Sequence, residues 1–164
     1  MTIAQQMLAE LQQEAVATRL TLAAVPMDNQ DWKPHEKSMP LGALAKHVAE
    51  IYGWPKETVV YDELDFSKGD YTPKVAETTA DLLALFDKCL ETATTILSTT
   101  TDEEMHKPWT MRNGDMVYFT MPKMQVMRTW VLNHSVHHRA QLGVYLRLLG
   151  IAVPSTYGPT ADQQ

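Results

Sequence analysis

Apolar residues recur in steps of three and four along four stretches of this chain, the spacing of amphipathic helices. The first stretch runs from about Ile3 to Val25, with Met7, Leu11, Ala15, Thr18, Leu22 and Val25 on one stripe. Pro26 ends it, and the segment from Asp31 to Pro40, holding Pro34 and Pro40, reads as a loop. A second helix starts near Pro40, where proline suits a first turn, and runs at least to Trp54. Its inward positions are Leu41, Leu44, Val48 and Ile51, and Pro55 kinks or ends it. A polar connection follows from Asp62 to Glu77, marked by Gly69 and Pro73. The third helix carries Leu82, Phe86, Cys89, Ala93 and Ile96 on one stripe and opens on a capping box, Thr78-Thr79-Ala80-Asp81. Thr101-Asp102-Glu103-Glu104 predicts a second capped turn, cut off by Pro108. The hairpin dipeptide Asn113-Gly114 predicts a small β-hairpin between residues Trp109 to Arg112 and Met116 to Phe119. The fourth helix begins around Met121-Pro122 and runs to about Leu149, with Gly150 as its C-terminal cap. An irregular tail from Val153 to Pro159 lies against the body.

Four such stripes are buried most simply against one another, so the expected architecture is all-α, a four-helix bundle forming a single domain over residues 1–164. The connections, about 14 to 20 residues long, exceed the 2 to 8 usual in bundles and are expected to cross it and cover sites. Apolar residues make up 45%, too many for a disordered chain. No apolar run approaches the roughly 20 residues that span a bilayer, and the start, MTIAQQMLAELQQE, lacks the features of a signal peptide. The single Cys89 has no internal partner for a disulfide, which fits a reducing cytoplasm. The net charge is −6, and the 14 Lys and Arg are dispersed among 20 acidic residues, so neither nucleic acid nor membrane is an expected partner.

Chemistry concentrates in Asn133-His134-Ser135-Val136-His137-His138-Arg139. On a helix His134 and His138, at i and i+4, stand one turn apart on the same face, where two neutral imidazoles grip one metal ion. His137, at i+3 from His134, offers another pairing. His47 lies within the Leu44, Val48 and Ile51 stripe and supplies a third nitrogen from a separate helix. Three nitrogens leave positions open, the pattern of a catalytic site more than of a structural one. The competing readings are plainer: a core histidine satisfied by hydrogen bonds, and a chance His-x-x-x-His. His35 and His106 fall in loops and are expected to be solvated. Glu50 and Arg139 are neighbours of the cluster, either orienting it or serving as surface charges. Trp54, Trp109, Trp130 and Tyr118 are candidate apolar walls for a substrate, though each is more commonly packing. Cys89, on its apolar stripe, is expected to pack.

The stretch from Ser38 to Glu50, SMPLGALAKHVAE, resembles the second-helix signature of the DinB/YfiT-like metal-binding bundles. Asn133 to Leu142, NHSVHHRAQL, followed by YLRLLG, resembles their fourth-helix signature, and the tail from Val153 to Asp162 is also similar. That family is distinct from the DNA polymerase that shares the DinB name. The resemblance implies a four-helix bundle in up-down-down-up order and a homodimer. It implies His47, His134 and His138 as ligands of a divalent metal such as zinc or nickel, with His137 not coordinating. Relatives of known activity are transferases or isomerases that use low-molecular-weight thiols such as bacillithiol or mycothiol. The expected function is therefore a metal-dependent S-transferase acting on a small electrophile, with Glu50 as orienting or proton-transfer group. The alternatives are a hydrolase using metal-activated water, and a non-catalytic metal-binding or stress-response protein.

Overall fold

A computed structural model describes residues 1–69 and 74–163; Pro73, one marker of the second connection, lies outside the described residues. Helix α1 (Ile3–Ala23) opens on a reciprocal capping box, in which the Thr2 hydroxyl accepts from the Gln5 N–H and the Gln5 side chain accepts from the Thr2 N–H. It stops two residues before Val25 because the proline at 26 disfavours helical geometry in the residue before it. Helix α2 (Leu41–Ile51) begins after Pro40, which offers no side-chain cap. Its first free N–H groups are satisfied by the preceding loop, Leu41 donating to the Trp32 carbonyl and Gly42 to the Gln30 carbonyl, each at 2.8 Å. The loop is so close that a Cβ on Gly42 would sit 2.5 Å from the Gln30 Cβ, inside any tolerable contact.

The expected second helix is two helices. After a break at Tyr52 and Gly53 the chain re-enters as α3 (Trp54–Val60), with Pro55 in the first turn, where its missing N–H costs nothing. Helix α4 (Thr79–Thr99) has the capping box expected at Thr78 and Asp81, and α5 (Asp102–His106) is capped by the Thr101 hydroxyl. On α4, Leu82, Phe86 and Ala93 are buried as expected, whereas Leu97 takes the inward place expected of Ile96.

The chain is mostly helical but not all-α. Strands β1 (Glu63–Asp65), β2 (Pro108–Asn113) and β3 (Met116–Pro122) form one sheet in the order β1-β2-β3. The expected hairpin is β2 and β3, antiparallel from Pro108 opposite Pro122 to Asn113 opposite Met116. Its two-residue loop is Gly114-Asp115, one position later than the Asn113-Gly114 signal suggested. Gly114 sits at φ +59° and Asp115 does not share that sign, as a type II′ turn requires. Strand β1, inside the supposed connection, joins β2 in parallel. The Asp65 carboxylate binds the hairpin tip, accepting from the Gly114 N–H at 2.9 Å, and these bonds hold it down at about 2.

The last helical stretch is continuous from α6 (Lys123–Val126) through a π-helical segment, Met127–Asn133, into α7 (His134–Leu148). It ends in a Schellman motif around Gly150 (φ +73°), with Gly150 donating to the Arg147 carbonyl and Ile151 to that of Leu146. Side chains of α1, α2, α4 and α7 share one apolar core, including Leu11, Leu22, Leu44, Ile51, Phe86, Leu97, Leu142 and Leu146. A second cluster of Trp109, Met111 and Val126, joined by Trp54, Phe119 and Trp130, fills the space beneath the sheet.

Two buried cations join these parts. Lys123, 1% exposed, donates to the Val59 carbonyl (2.9 Å) and meets Glu104 (2.6 Å) and Asp62 (2.9 Å). Arg139 is neither a surface charge nor aimed at the histidines. It is buried against α1, where it meets the Glu14 carboxylate (2.7 Å), the Thr18 hydroxyl (3.1 Å) and the Tyr157 hydroxyl (2.7 Å) of the tail. The tail is fixed again by Asp162, which pairs with Arg147 at 2.8 and 2.6 Å and accepts from the Val153 N–H at 2.9 Å.

Removing one member of a buried pair strands the other. Arg139→Met should lower stability by about 3 kcal/mol in urea unfolding, against about 1 kcal/mol for Tyr157→Phe; equal small losses would mean that Glu14 is not held by Arg139. Arg147, with the Val153 N–H, holds the Asp162 carboxyl down at about 2. A folded value below the unfolded one means the contact contributes above about pH 4 and fades as the pH falls toward 2. An NMR titration should place the Asp162 midpoint near 2; a midpoint near 3.9, the ordinary value, would show the tail detached from α7.

Candidate metal centre

His47 projects from α2 between fully buried neighbours of its stripe, Leu44, Val48 and Ile51, and is itself half-buried. His134 and His138 project from the first two turns of α7. What aims them is the π-helical segment before them. Met127, Val131, Ser135 and Arg139 are all buried, at successive steps of four. On a regular α-helix each such step advances the stripe by about 40°. The wider turn of a π-helix absorbs part of that drift, so the stripe stays inward while His134 and His138 face α2.

The three rings converge. The Nε2 atoms of His47 and His134 are 3.3 Å apart, and those of His134 and His138 are 2.7 Å apart. Ring centroids lie 4.5 to 5.0 Å from one another. The outer nitrogens of the α7 pair face oxygen: His134 Nδ1 is 3.3 Å from the Trp130 carbonyl and His138 Nδ1 is 2.7 Å from the Gln141 side-chain oxygen. A carbonyl oxygen only accepts, so with the proton of each ring on the Nδ1 that faces it, both Nε2 atoms present lone pairs. Two lone pairs so close repel unless a cation lies between them. Burial, followed by the charge of His138, pushes His47 and His134 down to about 4, and burial lowers His138 as well. At neutral pH the rings are therefore in the uncharged form that binds metals.

Among the described residues, His47, His134 and His138 form a group able to hold one metal ion, their donor atoms all within 4.8 Å of one another. Among the described residues no fourth His, Cys, Asp or Glu belongs to it. The donor set suits a borderline ion such as zinc, for which nitrogens about 2.0–2.1 Å from the ion in a tetrahedron stand about 3.3 Å apart.

The other candidates separate. His137 is exposed and outside the group; its Nε2 accepts from the Gln141 amide at 3.1 Å. His35 and His106 are exposed as expected, although His106 ends helix α5 and is not in a loop, and among the described residues each is bonded within its own turn. One oxygen of Glu50 accepts the Lys74 N–H at 2.7 Å, fixing the segment before α4. Cys89 is half-buried, its thiol pushed up by burial and by Glu50, and is poorly suited to act as a nucleophile. Of the aromatic candidates, Trp130 stands edge-on to His134 at 5.7 Å and stacks on Phe119 at 5.4 Å. Its indole N–H is buried without a partner among the described residues. Trp109 is wholly buried and donates to the Glu57 carbonyl, Trp54 packs against both clusters, and Tyr118 is exposed beside Phe66. Gln141 and Phe119 also stand beside the site, outside the set of expected residues. Gln141 had a signal, since positions three and four after a histidine lie on its face of a helix. Phe119 had none, because the hairpin brings it to Trp130 from a distant element.

The fold that carries these residues is shared with solved structures. Over 97% of this chain and 98% of its own, a DinB-like protein from Bacillus subtilis superposes with a TM-score of 0.65 at 21% identity. A DinB-like protein from Bacillus cereus ATCC 10987 gives a TM-score of 0.71 at 19% identity, over 93% of this chain and 97% of its own. No curated protein matches the chain. At these identities the likeness establishes the fold alone. The family model described as the DinB family matches residues 1–164, and the chain belongs to that family.

Proposed function

We propose that this protein binds a divalent metal, zinc or nickel, through His47, His134 and His138, and uses it to transfer a low-molecular-weight thiol onto a small electrophile. The observation that carries the reading is the convergence of three neutral imidazole nitrogens with no fourth protein ligand among the described residues. Structural zinc sites are closed by four protein ligands, whereas sites for chemistry keep a position open. When bound, the ion supplies the positive charge that deprotonates a thiol at neutral pH.

The chain's own residues divide the remaining work. The histidines hold their lone pairs toward a common point, with the α7 pair fixed from behind by carbonyl oxygens. Trp130 and Phe119 present an apolar wall beside His134, and the unpartnered Trp130 N–H is a donor for a polar atom of the substrate. Glu50, one turn beyond His47, orients the α2 side of the site through its bond to Lys74. In the reaction the thiol sulfur forms a bond to an electrophilic carbon, the leaving group departs with the bonding electrons, and the thiol proton passes to solvent. The same reading includes a bundle in up-down-down-up order and a homodimer in the cytoplasm. No described helix is long and apolar enough to cross a membrane.

His47→Ala should lose most of its zinc or nickel on dialysis while the wild-type chain retains one ion. Full retention by the variant would remove His47 from the ligand set. Metal-loaded protein mixed with a panel of cellular thiols and a model electrophile should consume thiol at a rate that chelation abolishes. Ester cleavage that needs the metal but no thiol would instead establish the hydrolase, and neither activity would leave a binding protein.

A further inference from the structure

Gln141 lies on the exposed side of α7, three residues after His138 and four after His137, so one amide reaches both rings. Its oxygen is 2.7 Å from His138 Nδ1 and its nitrogen 3.1 Å from His137 Nε2. An amide oxygen accepts and an amide nitrogen donates, so these two contacts fix each other. His137 takes the amide proton on its Nε2 lone pair, which leaves the oxygen facing His138. His138 must then hold its proton on Nδ1 and keep Nε2 bare toward His134. Were the amide turned over, its NH2 would face His138 Nδ1, the proton would move to Nε2, and the lone pair that His138 turns toward His134 would vanish.

We propose that Gln141 is a positioning residue that selects the tautomer of His138, and that His137, which stands outside the triad, acts by holding the Gln141 amide in the orientation this requires. The proposal rests on the three-histidine metal reading above. It assigns a purpose to the third histidine of the cluster. It also separates the two α7 ligands: His134 is secured by a backbone carbonyl that no side-chain substitution removes, whereas His138 depends on one replaceable amide. Partners behind a ligating histidine typically change metal affinity by about 10- to 100-fold when lost.

The test uses the full chain in four forms: wild type, Gln141→Leu, Gln141→Glu and His137→Leu. Metal-free protein labelled with 15N at histidine reports the tautomer of His138 directly through its ring-nitrogen shifts, and competition with a chromophoric chelator reports zinc affinity. Wild type should show His138 as the Nδ1–H form. Gln141→Leu should show a mixture of tautomers and bind zinc about 10- to 100-fold more weakly at an unchanged one ion per chain. Gln141→Glu, which keeps an acceptor facing Nδ1, should restore the tautomer and stay within a few-fold of wild type, an outcome that general damage to the helix would not produce. His137→Leu should shift both readouts in the direction of Gln141→Leu, by less. Wild-type tautomer and affinity in Gln141→Leu would overturn the proposal. A wild-type chain that binds no zinc would overturn the metal reading instead, while the tautomer shifts would still decide the role of Gln141.

Discussion

The register of the last helix is the constraint on which the molecule depends. One helix must bury Met127, Val131, Ser135, Arg139, Leu142 and Leu146 against the other helices and also turn His134 and His138 toward α2. A uniform α-helix does not meet both demands with inward positions four apart. The π-helical stretch from Met127 to Asn133 meets them by changing the turn just before the first histidine. Its Trp130 carbonyl then accepts from His134, so the irregular segment aims the ring and also fixes its tautomer.

The same helix carries two buried cations, and they explain why the register holds. Lys123 at its start is tied to the end of α3 and to α5, and Arg139 beyond the histidines is tied to α1 and the tail. A buried charge tolerates little displacement from its partner, because a gap leaves it neither solvated nor paired. The histidines lie between two such anchors. Sliding or rotating the helix to relieve the imidazole crowding would break at least one of them, so the lone pairs stay opposed and ready for a cation.

Much of this was legible in the chain. Caps at Thr78 and Thr101, the hairpin flanks and the Gly150 terminus follow from local spacing, while the grouping of His47 with His134 and His138 rests on the bundle expectation and on the resemblance to the DinB/YfiT-like family. The misses share a cause. Strand β1 is three residues long, with Glu63, Leu64 and Asp65 giving no period, and it exists because β2 offers an edge to it. Arg139 beside a histidine reads as a surface charge until Glu14 and Tyr157, from opposite ends of the chain, meet around it. The π segment is tertiary in origin too, on a sequence whose local pattern suits an unbroken helix, whereas the break at Tyr52 and Gly53 is signalled locally by Pro55.

The close approach of Gly42 to Gln30 reaches further than its place at the start of α2 suggests. His47 is only five residues along the same rigid rod. Any side chain at position 42 would have to push against a loop that already supplies the first hydrogen bonds of α2, and the displacement would pass along the helix to the imidazole. The spacing of the three nitrogens is thus gauged in part by a loop that touches none of them. Residues 27–40 are therefore a place from which small shifts would change the distances among the three histidines while leaving the histidines themselves intact.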